Sequence, residues 1–285
     1  MTVTVPAYAK INLFLDICSL RDNGYHNIIS LMQQVSLHDD VTVSLTQSDK
    51  KEITILSDGG SIPCDNTNLA YKAADIYPSS GKIEINIAKR IPVSAGLAGG
   101  SADAAATLIA LNTLNGNKLS IDELCSLGSR LGADIPFCIK GGACLVEGIG
   151  EILTPIPSMP KYPIVIAKKG DGMSTPAAYK ALDDRFNKFS GYYPQIEKLE
   201  LLKRDNSSAE ELCKGLFNIF ETVVECERPF VTEIKDIMRS CGAVGAMMSG
   251  SGTSVFGIFG NDGEAKIAQA RLTALGADAH LCYPL

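Results

Sequence analysis

The chain has 285 residues, of which 46% are hydrophobic and 20% charged, a balance that excludes a disordered chain and supplies a substantial core. The formal net charge is −6 and the 26 Lys and Arg are scattered, which argues against the electrostatic footprint of a nucleic-acid-binding protein. The nine cysteines are odd in number and lack a C-x-x-C pair, no apolar run reaches membrane-spanning length, and the N-terminus lacks a signal-peptide plan. Together these features predict a cytoplasmic protein with reduced thiols and neither nucleic-acid nor membrane partners. His26, His38 and His280 lack metal-ligand spacing, so no metal-ligating residue is assigned, and Asn206-Ser207-Ser208 reads as a chance sequon. The length favours two domains sharing a cleft over one large domain.

In chain order, residues 2–5 and 10–17 read as strands, the second setting Ile11, Leu13, Leu15 and Ile17 against Lys10, Asn12, Phe14 and Asp16. Residues 21–24 are turn chemistry, and Val41, Val43 and Leu45 mark another alternating strand. Residues 69–76 read as a helix. Residues 82–90 alternate Ile83, Ile85 and Ile87 against polar positions, the pattern of a half-buried strand, which Pro92 ends. A helix follows over residues 104–114, stopped at Asn115-Gly116, and another over 121–131, opened by Ser120 with Glu123 as a capping box. Pro155, Pro157, Pro160 and Pro163 surround a strand-like 164–167 and mark the expected interdomain crossing, giving domains 1–155 and 156–285. The second half predicts polar helices and loops near 183–210, helices over 212–226 and 230–240, a second glycine-rich segment over 242–253, and a buried strand over 254–259.

Between the strand at 82–90 and the helix at 104–114 lies Pro92-Val93-Ser94-Ala95-Gly96-Leu97-Ala98-Gly99-Gly100-Ser101-Ala102. Glycine frees the backbone and leaves no Cβ to block a ligand, and the first N–H groups of the following helix point at whatever occupies the loop. Phosphate fits that geometry. A common strand-to-helix turn with Ser101 as N-cap fits these residues equally, and neither a P-loop nor a G-x-G-x-x-G spacing is present. Asp103 either faces away from such an anion or helps to hold a cation.

Three separated segments, residues 6–13, 92–105 and 248–256, stand in an order and at spacings that resemble the GHMP kinases, named for galactokinase, homoserine kinase, mevalonate kinase and phosphomevalonate kinase. Residues 9–15, 21–26, 131–137 and 147–153 resemble the branch of that superfamily that phosphorylates a cytidine-diphosphate-linked methylerythritol. The resemblance implies an α+β, two-domain fold with a left-handed β-α-β unit in the N-terminal domain and a ferredoxin-like C-terminal domain. It implies transfer of the ATP γ-phosphoryl group, with Mg²⁺, to the 2-hydroxyl of 4-diphosphocytidyl-2-C-methyl-D-erythritol in non-mevalonate isoprenoid synthesis.

On this resemblance Asp134 matches the catalytic base and Lys10 the lysine beside it, the two converging on the alcohol. Residues 92–102 match the triphosphate loop, with Ser101 at a phosphate or Mg²⁺, while Asn68 and Lys89 match positions near the nucleotide base. Tyr25, His26 and Tyr179 supply the stacking and edge contacts a cytosine needs. Asn12 faces the methylerythritol hydroxyls, and Gly250-Ser251-Gly252-Thr253 lies against the substrate, although a tight turn before a core strand accounts for that segment as well. Met32 and Ala102 depart from residues some relatives carry. The alternatives are a GHMP kinase for another small alcohol of the homoserine or mevalonate type, and a nucleotide-binding protein without catalysis. Tyr25, His26 and Tyr179 argue against the first, and the presence of Lys10 and Asp134 against the second. The sequence does not set the oligomeric state.

Overall fold

The computed structural model describes residues 1–58, 62–203 and 208–285; Asn206 and Ser207 of the sequon lie outside them. The elements are β1 (Thr2–Leu20), β2 (His26–Thr46), β3 (Glu52–Ser57), α1 (Leu69–Ile76), β4 (Lys82–Ala88), α2 (Gly99–Leu114), α3 (Ile121–Ser129), α4 (Ile135–Lys140), β5 (Ala143–Gly148), β6 (Ile152–Ile156) and β7 (Ile164–Lys168). They continue with α5 (Thr175–Arg185), α6 (Ile196–Leu202), α7 (Ala209–Lys214), β8 (Phe217–Asn218), α8 (Glu221–Glu227), α9 (Phe230–Ser240), β9 (Ala243–Met248), β10 (Val255–Phe259), α10 (Asp262–Ala274) and β11 (Asp278–Cys282). By contacts the chain forms two compact units, one of Met1–Ala9, Leu37–Val93 and Ala98–Gly141, the other of Lys10–Ser36, Ser94–Leu97 and Gly142–Leu285. The units interleave in sequence because β1 and β2 each contribute residues to both.

In the first unit β4 runs antiparallel to the end of β2, with Val43 opposite Ile85, and parallel to β3, with Ile53 opposite Ile83. A parallel pair needs a crossover, which α1 supplies. As the alternation predicts, Ile83, Ile85 and Ile87 are buried while Lys82, Glu84 and Asn86 are exposed. Helix α2 buries seven of its residues as alanine or leucine between Ala102 and Leu111, and the short side chains let it pack closely on α1 and α4. The capping box of α3 forms, Glu123 N donating to Ser120 Oγ at 3.3 Å and Ser120 N to Glu123 Oε2 at 2.8 Å.

In the second unit β8 pairs parallel with β1, and β5 pairs antiparallel with β2 and with β6. A separate antiparallel sheet has the order β11-β7-β10-β9. Numbered within that sheet, this is 4-1-3-2 with helices after the first and third strands, the ferredoxin-like arrangement. Its apolar face, including Val165, Ala167, Val255 and Phe259, closes over Ile234 and Met238 of α9 and Ala268 and Leu272 of α10.

Several expected elements differ. The strands at 2–5 and 10–17 are one strand, and Lys10, Asn12, Phe14 and Asp16 are as buried as the isoleucines facing the other way. The expected helix over 212–226 is broken into α7, β8 and α8, because a Cβ on Gly215 would stand 2.6 Å from Leu202 and Phe217 pairs with Phe14. The glycine-rich segment at 242–253 contains strand β9, whose small residues pass Cys213 at a distance that admits no Cβ on Gly245. Helix α2 begins at Gly99 rather than Ala104, and its N-cap is Ala98, not Ser101. Pro155 sits in β6, which among the described residues pairs with β5 alone, the edge position where proline is tolerated.

Candidate active site

Between Ile91 and α2, Ser94, Gly96 and Ala98 adopt φ values of 53°, 75° and 60°, alternating with residues of ordinary hand. Such alternation turns successive N–H groups toward one side and makes a concavity for an anion. Two of these three are not glycine, so the conformation is held against its intrinsic cost. No side chain caps α2, which leaves its first N–H groups directed out of the helix start. Pro92, Ala95, Leu97 and Ala102 are buried, whereas Ser94 and Gly100 are exposed, so the loop turns backbone rather than large side chains outward.

Beneath this helix start, in the first unit, Lys89 Nζ lies 2.5 Å from Asp39 Oδ2 and 2.9 Å from Asp103 Oδ2. Asp39 Oδ1 also accepts Arg90 N and Ile91 N, so one carboxylate fixes the chain between β4 and the loop. Burial pushes the Asp103 carboxyl up to about 7; Lys89 opposes the rise and Asp39 adds to it. Burial draws the Lys89 ammonium down, but the two carboxylates outweigh it and hold it above the usual lysine range. Of the Asp103 carboxylate, Oδ2 faces inward on Lys89. A Cβ on Gly99 would stand 3.5 Å from Lys89 Nζ, which places the ammonium directly under the loop. Asn68 caps α1, accepting Ala70 N at 2.8 Å and donating to Pro63 O at 2.8 Å, so both ends of its amide are engaged within the fold.

Asp134 stands at the N-terminus of α4, half-buried, and makes no side-chain cap bond. The turn that carries it lies beside the start of α2, a Cβ on Gly132 being 4.0 Å from Ser101 Oγ.

In the second unit three segments far apart in sequence meet at Lys10. Its Nζ donates to Asn12 Oδ1 at 2.6 Å and to Gly96 O at 2.9 Å, confirming the shared face of Lys10 and Asn12. Asn12 Nδ2 donates to Ser30 Oγ, and Ser249 Oγ receives Asn12 N while donating to Gly96 O at 3.1 Å. The amide of Asn12 is therefore turned into the protein. The two glycine segments touch backbone to backbone: a Cβ on Gly96 would stand 2.1 Å from Ser249 O, and one on Gly250 2.9 Å from Gly96 O and 3.3 Å from Lys10 Nζ. Within the second segment Ser251 Oγ is 3.0 Å from Thr175 Oγ1, Gly252 has a φ of 92°, and Thr253 is fully buried.

Sequence reasoning missed the supports of this segment. Asn218 Nδ2 donates to Met248 O and Gly250 O, each at 2.8 Å, and Glu221 Oε1 accepts Met248 N at 2.8 Å and Lys235 Nζ at 2.8 Å. Burial raises the Glu221 carboxyl, and Lys235 opposes the rise. No local pattern marks these residues, because each acts on a backbone some 30 positions away.

A second cluster of that unit gathers the predicted aromatic residues. His26 and Tyr179 stack with centroids 4.7 Å apart and planes 25° apart, and Phe189 and Phe220 pack edge-on against the pair. Tyr25 is 60% exposed at the mouth of the turn before β2, the exposure a stacking platform needs. Asp183, which sequence reasoning did not single out, lies 2.7 Å from His26 Nε2. Its signal was present, since it falls four residues after Tyr179 on a helix.

Comparison with known proteins identifies the class. The model of the GHMP kinases N terminal domain matches residues 68–142 and that of the GHMP kinases C terminal matches 198–278. A protein of Caldicellulosiruptor saccharolyticus named 4-diphosphocytidyl-2-C-methyl-D-erythritol kinase is 45% identical over 271 residues, covering 93% of this chain and 91% of its own. One of the same name from Alkaliphilus metalliredigens is 41% identical, covering 98% and 95%. A crystal structure of 4-(cytidine 5'-diphospho)-2C-methyl-D-erythritol kinase superposes with a TM-score of 0.80 at 31% identity over 99% of both chains. A homoserine kinase from Cytophaga hutchinsonii, with a TM-score of 0.74 at 20% identity, shares the fold. The chain therefore belongs to the 4-diphosphocytidyl-2-C-methyl-D-erythritol kinase family of the GHMP kinases.

Proposed function

We propose that the protein transfers the γ-phosphoryl group of ATP to the 2-hydroxyl of 4-diphosphocytidyl-2-C-methyl-D-erythritol. The observation that carries this reading is the knot at Lys10, in which an ammonium bonded to Asn12 Oδ1 and Gly96 O joins the first motif of the family to both glycine segments. Phosphoryl transfer asks the protein chiefly for position and for compensation of charge. Residues 92–102, through the backbone N–H groups that follow Pro92, and the start of α2 hold the triphosphate, and Ser101 offers its hydroxyl to a phosphate or to magnesium carried on the ATP. Magnesium keeps most of its ligands as water and phosphate oxygen, so one protein hydroxyl suits it. Lys10 compensates charge that develops on the transferring group, and Asp134 accepts the proton of the hydroxyl. Gly250 to Thr253 shape the substrate side.

Asn12 acts by orienting Lys10 rather than by touching the methylerythritol, since its amide is engaged internally. Asn68 and Lys89 serve the nucleotide through the starts of α1 and α2, for the same reason. Tyr25, His26 and Tyr179 receive the cytosine. We keep 1–155 and 156–285 as the division into family modules, and propose a cytoplasmic location with ATP, magnesium and the cytidine substrate as partners.

ADP release by the pure protein, with the diphosphocytidyl alcohol, mevalonate and homoserine offered in turn, tests the reading. Turnover confined to the first is expected; turnover with either of the others, or with none, overturns it. Asp134→Asn is expected to bind ATP and substrate while losing about 10² to 10⁴ in turnover. Near-native phosphorylation by that variant removes the assignment of the base.

A further inference from the structure

Ser30 lies in β2 opposite Val146 of β5 and is buried, as are Lys10 and Asn12. A line of hydrogen bonds joins the three. Ser30 Oγ donates to Phe14 O at 2.6 Å and accepts Asn12 Nδ2 at 2.8 Å, while Asn12 Oδ1 accepts Lys10 Nζ at 2.6 Å. We propose that Ser30 is a positioning residue for phosphoryl transfer that acts through Asn12 to aim the Lys10 ammonium, an inference that rests on the reading of Lys10 as the group compensating charge on the transferring phosphoryl.

A backbone carbonyl only accepts, so Phe14 O takes the one proton of Ser30 and leaves a lone pair facing Asn12. Against that lone pair the Asn12 amide presents its NH2, which turns its oxygen toward Lys10, the acceptor an ammonium needs. The reversed amide would set one donor against another at Lys10 and draw the Ser30 proton away from Phe14 O. Ser30 and Lys10 therefore demand the same orientation from opposite ends, and burial makes an unpaired donor at either end costly. The second acceptor of Lys10 is fixed in the same way. Ser249 Oγ accepts Asn12 N, which only donates, and so directs its own proton to Gly96 O, the atom that Lys10 Nζ also meets. With two N–H bonds of a tetrahedral ammonium tied to held oxygens, the direction of the third is determined. A cation that stabilises a transition state works by such placement, and a displacement of about 1 Å can cost about 10²-fold in rate. Removing the Ser30 hydroxyl leaves Asn12 Nδ2 a buried donor without that partner, and rotation of the amide toward another acceptor breaks the bond to Lys10.

The test measures ADP release from ATP and the diphosphocytidyl alcohol by the full-length protein and by its Ser30→Ala, Asn12→Ala and double variants, with folding checked by urea unfolding. Ser30→Ala is expected to lower kcat about 10- to 100-fold while KM for ATP and for the alcohol stay within about threefold, because Ser30 reaches the reacting groups only through Asn12. Asn12→Ala is expected to lose at least as much, and the double variant no more than Asn12→Ala alone, since the path is already cut. A serine that merely supports the fold would lower stability and leave kcat of the folded protein alone. Folded Ser30→Ala with kcat within about twofold of native therefore overturns the inference, as does a double variant slower than Asn12→Ala by the full factor that Ser30→Ala costs. Neutron diffraction from the deuterated native protein covers the case in which Ser30→Ala does not fold. Deuterium is expected on the Asn12 side-chain atom that faces Ser30 and on Ser30 Oγ toward Phe14 O, and an amide of reversed orientation overturns the inference without a variant. Each of these results leaves the role of Lys10 standing. Native protein without turnover on this pair of substrates, or a folded Lys10→Met with kcat near native, overturns the proposed function instead.

Discussion

Asp103→Asn separates the charge of a buried carboxylate from its shape, and its effect has a definite pH dependence. Asp39 and Asp103 face a single ammonium, Lys89, in a cluster whose side chains are 0, 3 and 7% exposed respectively, leaving one surplus negative charge when both acids are ionised. Burial lifts Asp103 from 3.8 to about 7 against the pull of Lys89, with Asp39 adding to the rise. Between those values the folded protein holds a proton that the unfolded chain has released. Linkage then makes stability fall as pH rises from about 4 to about 7. At about 1.4 kcal/mol per pH unit, the gap from 3.8 to about 7 amounts to about 4 kcal/mol. Asparagine keeps an oxygen for Lys89 and does not titrate, so the stability of the variant minus that of the native protein should increase by about 4 kcal/mol between pH 4 and pH 8, chiefly below pH 7. Asp16 and Glu221, also raised by burial, bend both profiles alike and cancel in the difference. Urea unfolding at half-unit pH steps, with m unchanged, measures it. A difference that stays flat, or that grows toward low pH, refutes the reasoning.

Gly96→Ala drives a Cβ to within 2.1 Å of Ser249 O at a φ of 75°, and is expected to cost about 3 kcal/mol or more in urea unfolding. Gly24→Ala has a similar φ of 83° but open space, and is expected to cost only about 1 to 2 kcal/mol; equal losses would show that the close approach is not what requires glycine at 96. Gly100 has helical φ and only Leu69 within 4 Å, at 3.7 Å, so Gly100→Ala should stabilise α2 by up to about 1 kcal/mol while raising KM for ATP. An unchanged KM for ATP would remove the proposal that phosphate lies against that residue. Asn218→Ala strips two buried carbonyls and Phe220 N of their partners, and a loss of about 2 to 4 kcal/mol is expected by thermal or urea unfolding. A loss below 1 kcal/mol would mean that the second glycine segment does not depend on it.

What the sequence makes legible is local. Period-2 alternation finds β4, the Ser120 and Glu123 spacing finds the start of α3, and helices α1 and α9 are read to the residue because their ends carry local signals. The errors fall where tertiary contact overrides pattern. Residues 212–226 have helical composition, yet Gly215 must pass Leu202 and Phe217 must join β1. Lys10 and Asn12 alternate with isoleucine and leucine as a solvated face does, yet both are buried, because Ser249 and Gly96, remote in sequence, cover them. The candidate site shows the same division. Its glycines and aromatic residues announce themselves by type, whereas Asp39, Asn218 and Glu221 are ordinary polar residues that hold the backbone of Arg90 or Met248, between 27 and 51 positions away.

The glycines of the 92–102 loop look alike in sequence but answer three different demands. At Gly96 the requirement comes from the protein itself, since a second backbone lies where a Cβ would go and the φ is left-handed. At Gly99 it comes from below, from Ile91 at 3.1 Å and from the Lys89 ammonium. At Gly100 neither applies, and the residue is exposed at the first turn of a helix that would be more stable with alanine. Retaining glycine there sacrifices helix stability without relieving any contact within the fold, which is the pattern expected where the missing side chain makes room for a ligand. A glycine-rich loop is therefore weak evidence for an anion site as a composition and stronger evidence residue by residue. In this chain the proposed phosphate contact rests on the one glycine that the rest of the protein does not require.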